Sequence, residues 1–207
     1  GNVLTLTYEP SGFLDSESVH TITLGHPDPV GQPATTDWSF TVVAYGGPTR
    51  DVVNDYPALI LGSADYTPDG EGHTGMAGDY AIDNGTSAAG LHVPDASFVN
   101  AAAANDEMSF SIWVKRSDIA NSSAFWLHSP SSSGTQRGWQ AHTPWSNNNI
   151  YFDTAGCCDA GTQRINASID TFPDYTGDVT WWTDSLRHFV FTNMNATKQI
   201  WIDGQLF

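Results

Sequence analysis

Along much of this chain, short apolar runs alternate apolar and polar residues with a period of two. The clearest run, 108–115, reads Met-Ser-Phe-Ser-Ile-Trp-Val-Lys. In a strand it puts Met108, Phe110, Ile112 and Val114 on one face and Ser109, Ser111, Trp113 and Lys115 on the other. Shorter runs predict strands at 3–8, 19–24, 38–43, 80–83, 91–93, 124–128, 138–142, 150–153, 164–167, 187–192 and 199–203. An apolar stretch at 58–61 stands alone between Gly- and Asp-rich segments. No segment keeps a helical period over ten residues, although 96–104 allows a turn or two. Asp203-Gly204 makes a hairpin turn, and the sequence stops shortly after it. That stop leads us to expect a segment of a longer secreted protein.

The strands group into two sets. Three short strands within 1–46, joined by links rich in Gly, Pro, Asp and Ser, suit part of an all-β sandwich. Ala-Tyr-Gly-Gly-Pro-Thr-Arg (44–50) follows, so 47–50 is expected to be a linker. From 51 to 207, about nine strands with long Gly/Asn/Ser loops predict a two-sheet antiparallel jelly roll sandwich. The expected fold class is therefore all-β throughout.

Composition narrows the function. The 207 residues carry 23 acids against 7 bases, a formal charge of −16, and the acids divide into 19 Asp and 4 Glu. No basic run could neutralise a phosphate backbone, which excludes nucleic acid as a partner. No stretch of about 18 apolar residues is present to span a membrane as a helix. Scarce Glu and Lys disfavour helical bundles. With 8 Trp and 10 Phe the chain can bury a core despite its charge. These features point to an extracellular or cell-surface setting.

The two cysteines, Cys157 and Cys158, are adjacent. Neighbouring Cα atoms lie about 3.8 Å apart across a trans peptide, below the usual disulfide range of about 4.4–6.8 Å. A vicinal disulfide would rigidify a tight turn, which the flanking glycines allow. Two free thiols, or pairing with another chain, remain as alternatives.

Three motifs in order carry a family resemblance. They are Phe-Ser-Ile-Trp-Val-Lys (110–115), Arg-His-Phe-Val-Phe-Thr (187–192) and Ile-Trp-Ile-Asp-Gly (200–204). Together they resemble the laminin-G-like, concanavalin A-like jelly roll domains, over about residues 51–207. Where that family commonly has Trp-His-His, this chain has Leu186-Arg187-His188, so only His188 matches. The family's last strands have no counterpart before Phe207. Residues 1–46 resemble the tail of an immunoglobulin- or cadherin-like module. The resemblance implies a binding or adhesion module for polysaccharide, glycoprotein or neighbouring copies, often with structural Ca²⁺. Some members of the wider fold are glucanases.

Those glucanases use Glu-x-Asp-x-x-Glu on one strand. Here Glu9, Glu17, Glu71 and Glu107 all lack Asp two residues later, so a non-catalytic module is expected. Hard oxygen donors suit Ca²⁺, and Asp65 with Asp69 in Asp-Tyr-Thr-Pro-Asp-Gly-Glu are the first candidates, with Asp79 and Asp83 as further ones. Asp and Gly also simply make turns. Aromatic faces stack on sugar rings while His, Asn and Asp bond hydroxyls. On that basis Trp139, His142, Trp145 and Tyr151 form one candidate ligand site, and Trp181 with Trp182 another. His128 is a further possible contact. A strand would expose one of Trp181 and Trp182, whereas Trp113, Trp139 and Trp201 could fill the core or its edges. Sequons occur at Asn84, Asn121, Asn166 and Asn195. A structural stalk or fibre subunit, using the same aromatics for protein contacts, is the rival reading.

Overall fold

The computed structural model describes residues 19–27, 30–41, 45–50, 54, 56–85, 89–119, 121, 124–127 and 138–207. The strand expected at 3–8 and His128 lie outside them. The chain divides into two compact units, Gly1–Ser97 and Phe98–Phe207. Every described strand pairing is antiparallel, and helix is confined to short segments.

In the first unit β1 (Val19–Pro27) and β2 (Pro33–Thr41) form a long hairpin. Next come β3 (Tyr45–Arg50), β4 (Pro57–Leu61), β5 (Asp65–Tyr66), β6 (Ile82–Asp83) and β7 (Gly90–His92). Strands β3, β4 and β7 make a three-stranded sheet with β4 in the centre. Residues 47–50, expected as a linker, are thus part of a strand. The apolar run 57–61 supplies their pairing partner, and its Ala58 and Ile60 turn inward at 4% and 1% exposure. The β5–β6 ladder is only two pairs long and closes the loop 67–81.

The second unit begins with α1 (Val99–Asn105), ended by Asp106 in the left-handed conformation at φ 52°. The Asp106 carboxylate accepts from the Ala196 N–H (2.7 Å) and Asn193 Nδ2 (2.9 Å), tying the helix end to a distant turn. Strands β8 (Glu107–Val114), β9 (Phe125–Trp126), β10 (Trp139–His142), β11 (Asn149–Thr154) and β12 (Arg164–Ser168) follow. Then come α2 (Thr180–Thr183), β13 (Arg187–Met194), β14 (Thr197–Ile202) and β15 (Gln205–Leu206).

These strands form two four-stranded sheets, ordered β12-β11-β10-β9 and β15-β14-β13-β8. Their inner faces meet in one core. Phe189, Phe191, Ile200 and Ile202 come from one sheet, and Ala141, Ile150 and Phe152 from the other. Met108, Phe110, Ile112 and Val114 pack on the same core, as the alternation of 108–115 predicts. Phe191 lies 5.7 Å from Phe125 and 5.4 Å from Phe152, ring centre to ring centre, so aromatic contacts join the sheets. Each fully buried Phe or Ile contributes about 1.5–3 kcal/mol. The second unit is therefore a β-sandwich.

Candidate functional site

Opposed residues in an antiparallel ladder project to the same side. In the sheet β12-β11-β10-β9 the inner positions are Phe125, Ala141, Phe152 and Ile165, so the residues between them face outward. The register lines those outward residues up in rows. One row runs Trp126, Gln140, Asp153, Arg164; the next runs His142, Tyr151, Asn166.

An outward sheet face is ordinarily wet, yet Gln140, His142 and Asp153 are only 3%, 5% and 0% exposed. A buried carboxylate is costly unless paired. Asp153 is paired completely. Arg164 donates from Nε to Oδ1 (2.6 Å) and from Nη2 to Oδ2 (2.7 Å), and Gln140 Nε2 also donates to Oδ2 (2.7 Å). The fork geometry suits guanidinium and carboxylate. Its hydrogen bond to Asp153 raises the Arg164 pKa above the already high arginine value, so the cation persists throughout the working range. The guanidinium also sits 4.4 Å over the Tyr151 ring.

Around this floor the loop 143–148 builds a rim. Trp145 N–H donates to the Asn149 carbonyl (2.9 Å) and Asn148 N–H to the Trp145 carbonyl (2.9 Å). Asn148 adopts φ 62°, a left-handed conformation that Asn tolerates well. The tight turn brings the Trp145 ring within 4.5 Å of His142, which meets Tyr151 edge-on at 5.8 Å. Asn147 and Asn149 donate to the Tyr151 hydroxyl at 2.7 and 3.1 Å. At the root of this loop Thr143 Oγ1 is buried without a hydrogen-bond partner among the described residues, a state native structures rarely leave unexplained.

The hairpin between β11 and β12 carries a vicinal disulfide, Cys157–Cys158. Its stem is held by Ala155 N–H on the Gly138 carbonyl (2.7 Å) and Gln163 Nε2 on the Ala155 carbonyl (3.0 Å). Lys198 Nζ reaches the same hairpin, donating to the carbonyls of Thr162 (3.2 Å) and Gln163 (2.8 Å). Cys158 is exposed, four residues along the hairpin from β11.

Of the expected ligand residues, His142, Trp145 and Tyr151 come together on this face. Trp139 does not join them. It projects toward the core, edge-on to Phe125 at 5.8 Å. Trp181 and Trp182 correct the expectation of exposure, being 4% and 0% exposed. They lie on α2 rather than a strand, so neighbouring side chains diverge by a helical step instead of pointing to opposite faces. Trp182 stacks parallel to Phe189 at 6.0 Å, and Arg187 covers Trp181 at 4.2 Å. Neither ring offers an open stacking face. Trp113, placed in the core or at its edges as an alternative, is 44% exposed on the outer face of the other sheet. The sequence reading missed Trp126, Gln140 and Arg164. The available signal was the polar residue at every second position of Gln-Ala-His (140–142) and Arg-Ile-Asn (164–166).

Asp65 and Asp69 lie in the first unit. Asp65 stands directly opposite Asp83 across β5–β6, and both are exposed. Asp69 Oδ1 accepts from the Gly78 N–H (2.5 Å), and Asp65 Oδ1 from the Tyr66 N–H (2.7 Å). Asp79 accepts from Thr74 N–H and Oγ1, both 2.5 Å, which holds its carboxyl below the usual range. No three His, Cys, Asp or Glu side chains gather in a metal-holding group among the described residues.

Comparison with family models, with curated proteins and with solved structures finds no match for this chain.

Proposed function

We propose that the chain is a non-catalytic, extracellular binding and adhesion module that takes a glycan on the outer face of the β9–β12 sheet. The fold we assign it is the laminin-G-like jelly roll. One observation carries the reading: an outward sheet face with a buried polar floor whose carboxylate, Asp153, is fully paired, flanked by aromatic rings. Trp126 is 50% exposed at one end of a row, and Trp145, His142 and Tyr151 cluster beside the next. Half-exposed indole suits the C–H face of a sugar, and fixed amides suit its hydroxyls. The floor also supports a non-catalytic role. Asp153, its one carboxylate, has both oxygens taken by Arg164 and Gln140 and is fully buried. Affinity electrophoresis against a panel of polysaccharides should show retarded mobility, lost on Tyr151→Ala. Unretarded migration in every gel would overturn the reading.

Calcium belongs to the same proposal, at the Asp65/Asp69 loop. Two carboxylates directly opposed on a ladder repel one another, and a cation between Asp65 and Asp83 would offset that. Adding EDTA should lower the melting temperature of the whole chain, and excess Ca²⁺ should restore it. An unchanged melting curve would remove the ion from the proposal.

A second reading, assembly into a stalk or fibre, draws on the opposite sheet. Its outer face exposes Trp113 at 44% and Leu206 at 57%. Sedimentation velocity distinguishes the two: a concentration-dependent oligomer that Trp113→Ser dissolves would favour assembly.

A further inference from the structure

Resting on that glycan reading, we infer the class of ligand: an uncharged, hydroxyl-rich polysaccharide rather than a uronate, sialylated or sulfated one. An acidic glycan needs a cation whose charge is not already neutralised by a protein carboxylate. Among the described residues the β9–β12 face has one cation, Arg164. Its Nε and Nη2 are committed to Asp153, which is 0% exposed, and its plane is committed to Tyr151. Turning that fork toward a ligand would strand a buried carboxylate, a cost no surface sulfate contact recovers.

The other described bases of the second unit are engaged or placed elsewhere. Arg187 pairs with Asp203 at 3.2 Å and covers Trp181. Lys198 is spent on the Thr162 and Gln163 carbonyls. Lys115 and Arg116 follow β8, in the opposite sheet. The long-range field points the same way, since a formal charge of −16 repels a polyanion before contact. What the face does present is Trp126, Asn166 and the Asn147/Asn149/Tyr151 amide–hydroxyl cluster. All of these are neutral groups able to stack on, or exchange hydrogen bonds with, sugar carbons and hydroxyls.

The test uses the full chain and four soluble probes: a neutral β-glucan, a neutral galactomannan, polygalacturonate and heparin. Titration calorimetry is run at about 0.01 M and about 1 M salt, over which the Debye length falls from about 30 to about 3 Å. The expected result is binding of a neutral probe that changes less than about twofold across that range, with no polyanion binding at either end. Trp126→Ala should weaken it at least tenfold, while Trp113→Ala on the opposite sheet leaves it unchanged. Matching circular dichroism of both variants would confirm that they fold. Polyanion binding that collapses with salt would overturn the inference while leaving the glycan reading intact. Binding of no probe, by calorimetry or on a broad glycan array, would overturn both.

Discussion

The two outer faces of the β-sandwich differ in how they treat polarity. On the β8–β13 side the polar groups stay shallow. Ser111 Oγ meets His188 Nε2 at 2.7 Å, the imidazole stacks on Trp113 at 4.6 Å, and Trp113 remains 44% exposed. On the β9–β12 side a carboxylate, an amide and an imidazole are buried to 5% exposure or less. The first arrangement costs little to build and little to lose. Desolvating the second is expensive, and only complete pairing makes it tolerable. A buried, preorganised polar floor on a sheet's solvent side is hard to explain by stability alone. For that reason the candidate site is placed there and not over the Ser111–His188 pair.

The largest expected effect comes from breaking that floor. Arg164→Leu strands Asp153 and should cost about 3–5 kcal/mol in urea denaturation. The double change Arg164→Leu with Asp153→Leu should recover most of it, because the unpaired charge is gone. If the double variant is as unstable as the single one, the pair is a packing element and the contrast between faces fails. Gln140→Leu removes one of three donors to Asp153 and should cost about 1 kcal/mol, read from the same transition. On the opposite face Ser111→Ala should stay within about 0.5 kcal/mol of the parent. A larger loss would mean that the Ser111–His188 contact is structural after all.

The smallest effect concerns a half-buried surface-loop carboxylate, as a foil to Asp153. The folded pKa of Asp79 is lowered, chiefly by Thr74. Its contribution is therefore present above the unfolded value of about 3.9 and disappears as pH falls through the lower folded value. Amide exchange in loop 67–81 should accelerate in that acid window, and Asp79→Asn should abolish the acid dependence.

Much of the sandwich was legible because strand alternation is a local signal. The inward set Met108, Phe110, Ile112, Val114 and the turn at Asp203-Gly204, both residues at positive φ, follow directly from residue type. The site was legible only in part. That Asp153 faces both Gln140 and Arg164 depends on the register of β10, β11 and β12, which loop lengths and core packing set together. Trp181-Trp182 misled because both residues suit a strand. Tertiary context overrode that preference by placing the pair on one turn of helix, where the core could take both rings.

Lys198, finally, has a practical side. The chain has two lysines, and this one is tied down by two backbone carbonyls, with burial lowering its pKa. Lys115 is exposed at the end of β8, in the sheet opposite the candidate site. Of these two lysines, amine-reactive coupling would consequently favour Lys115. A sensor chip prepared that way would hold the molecule with the β9–β12 face free of linkage chemistry.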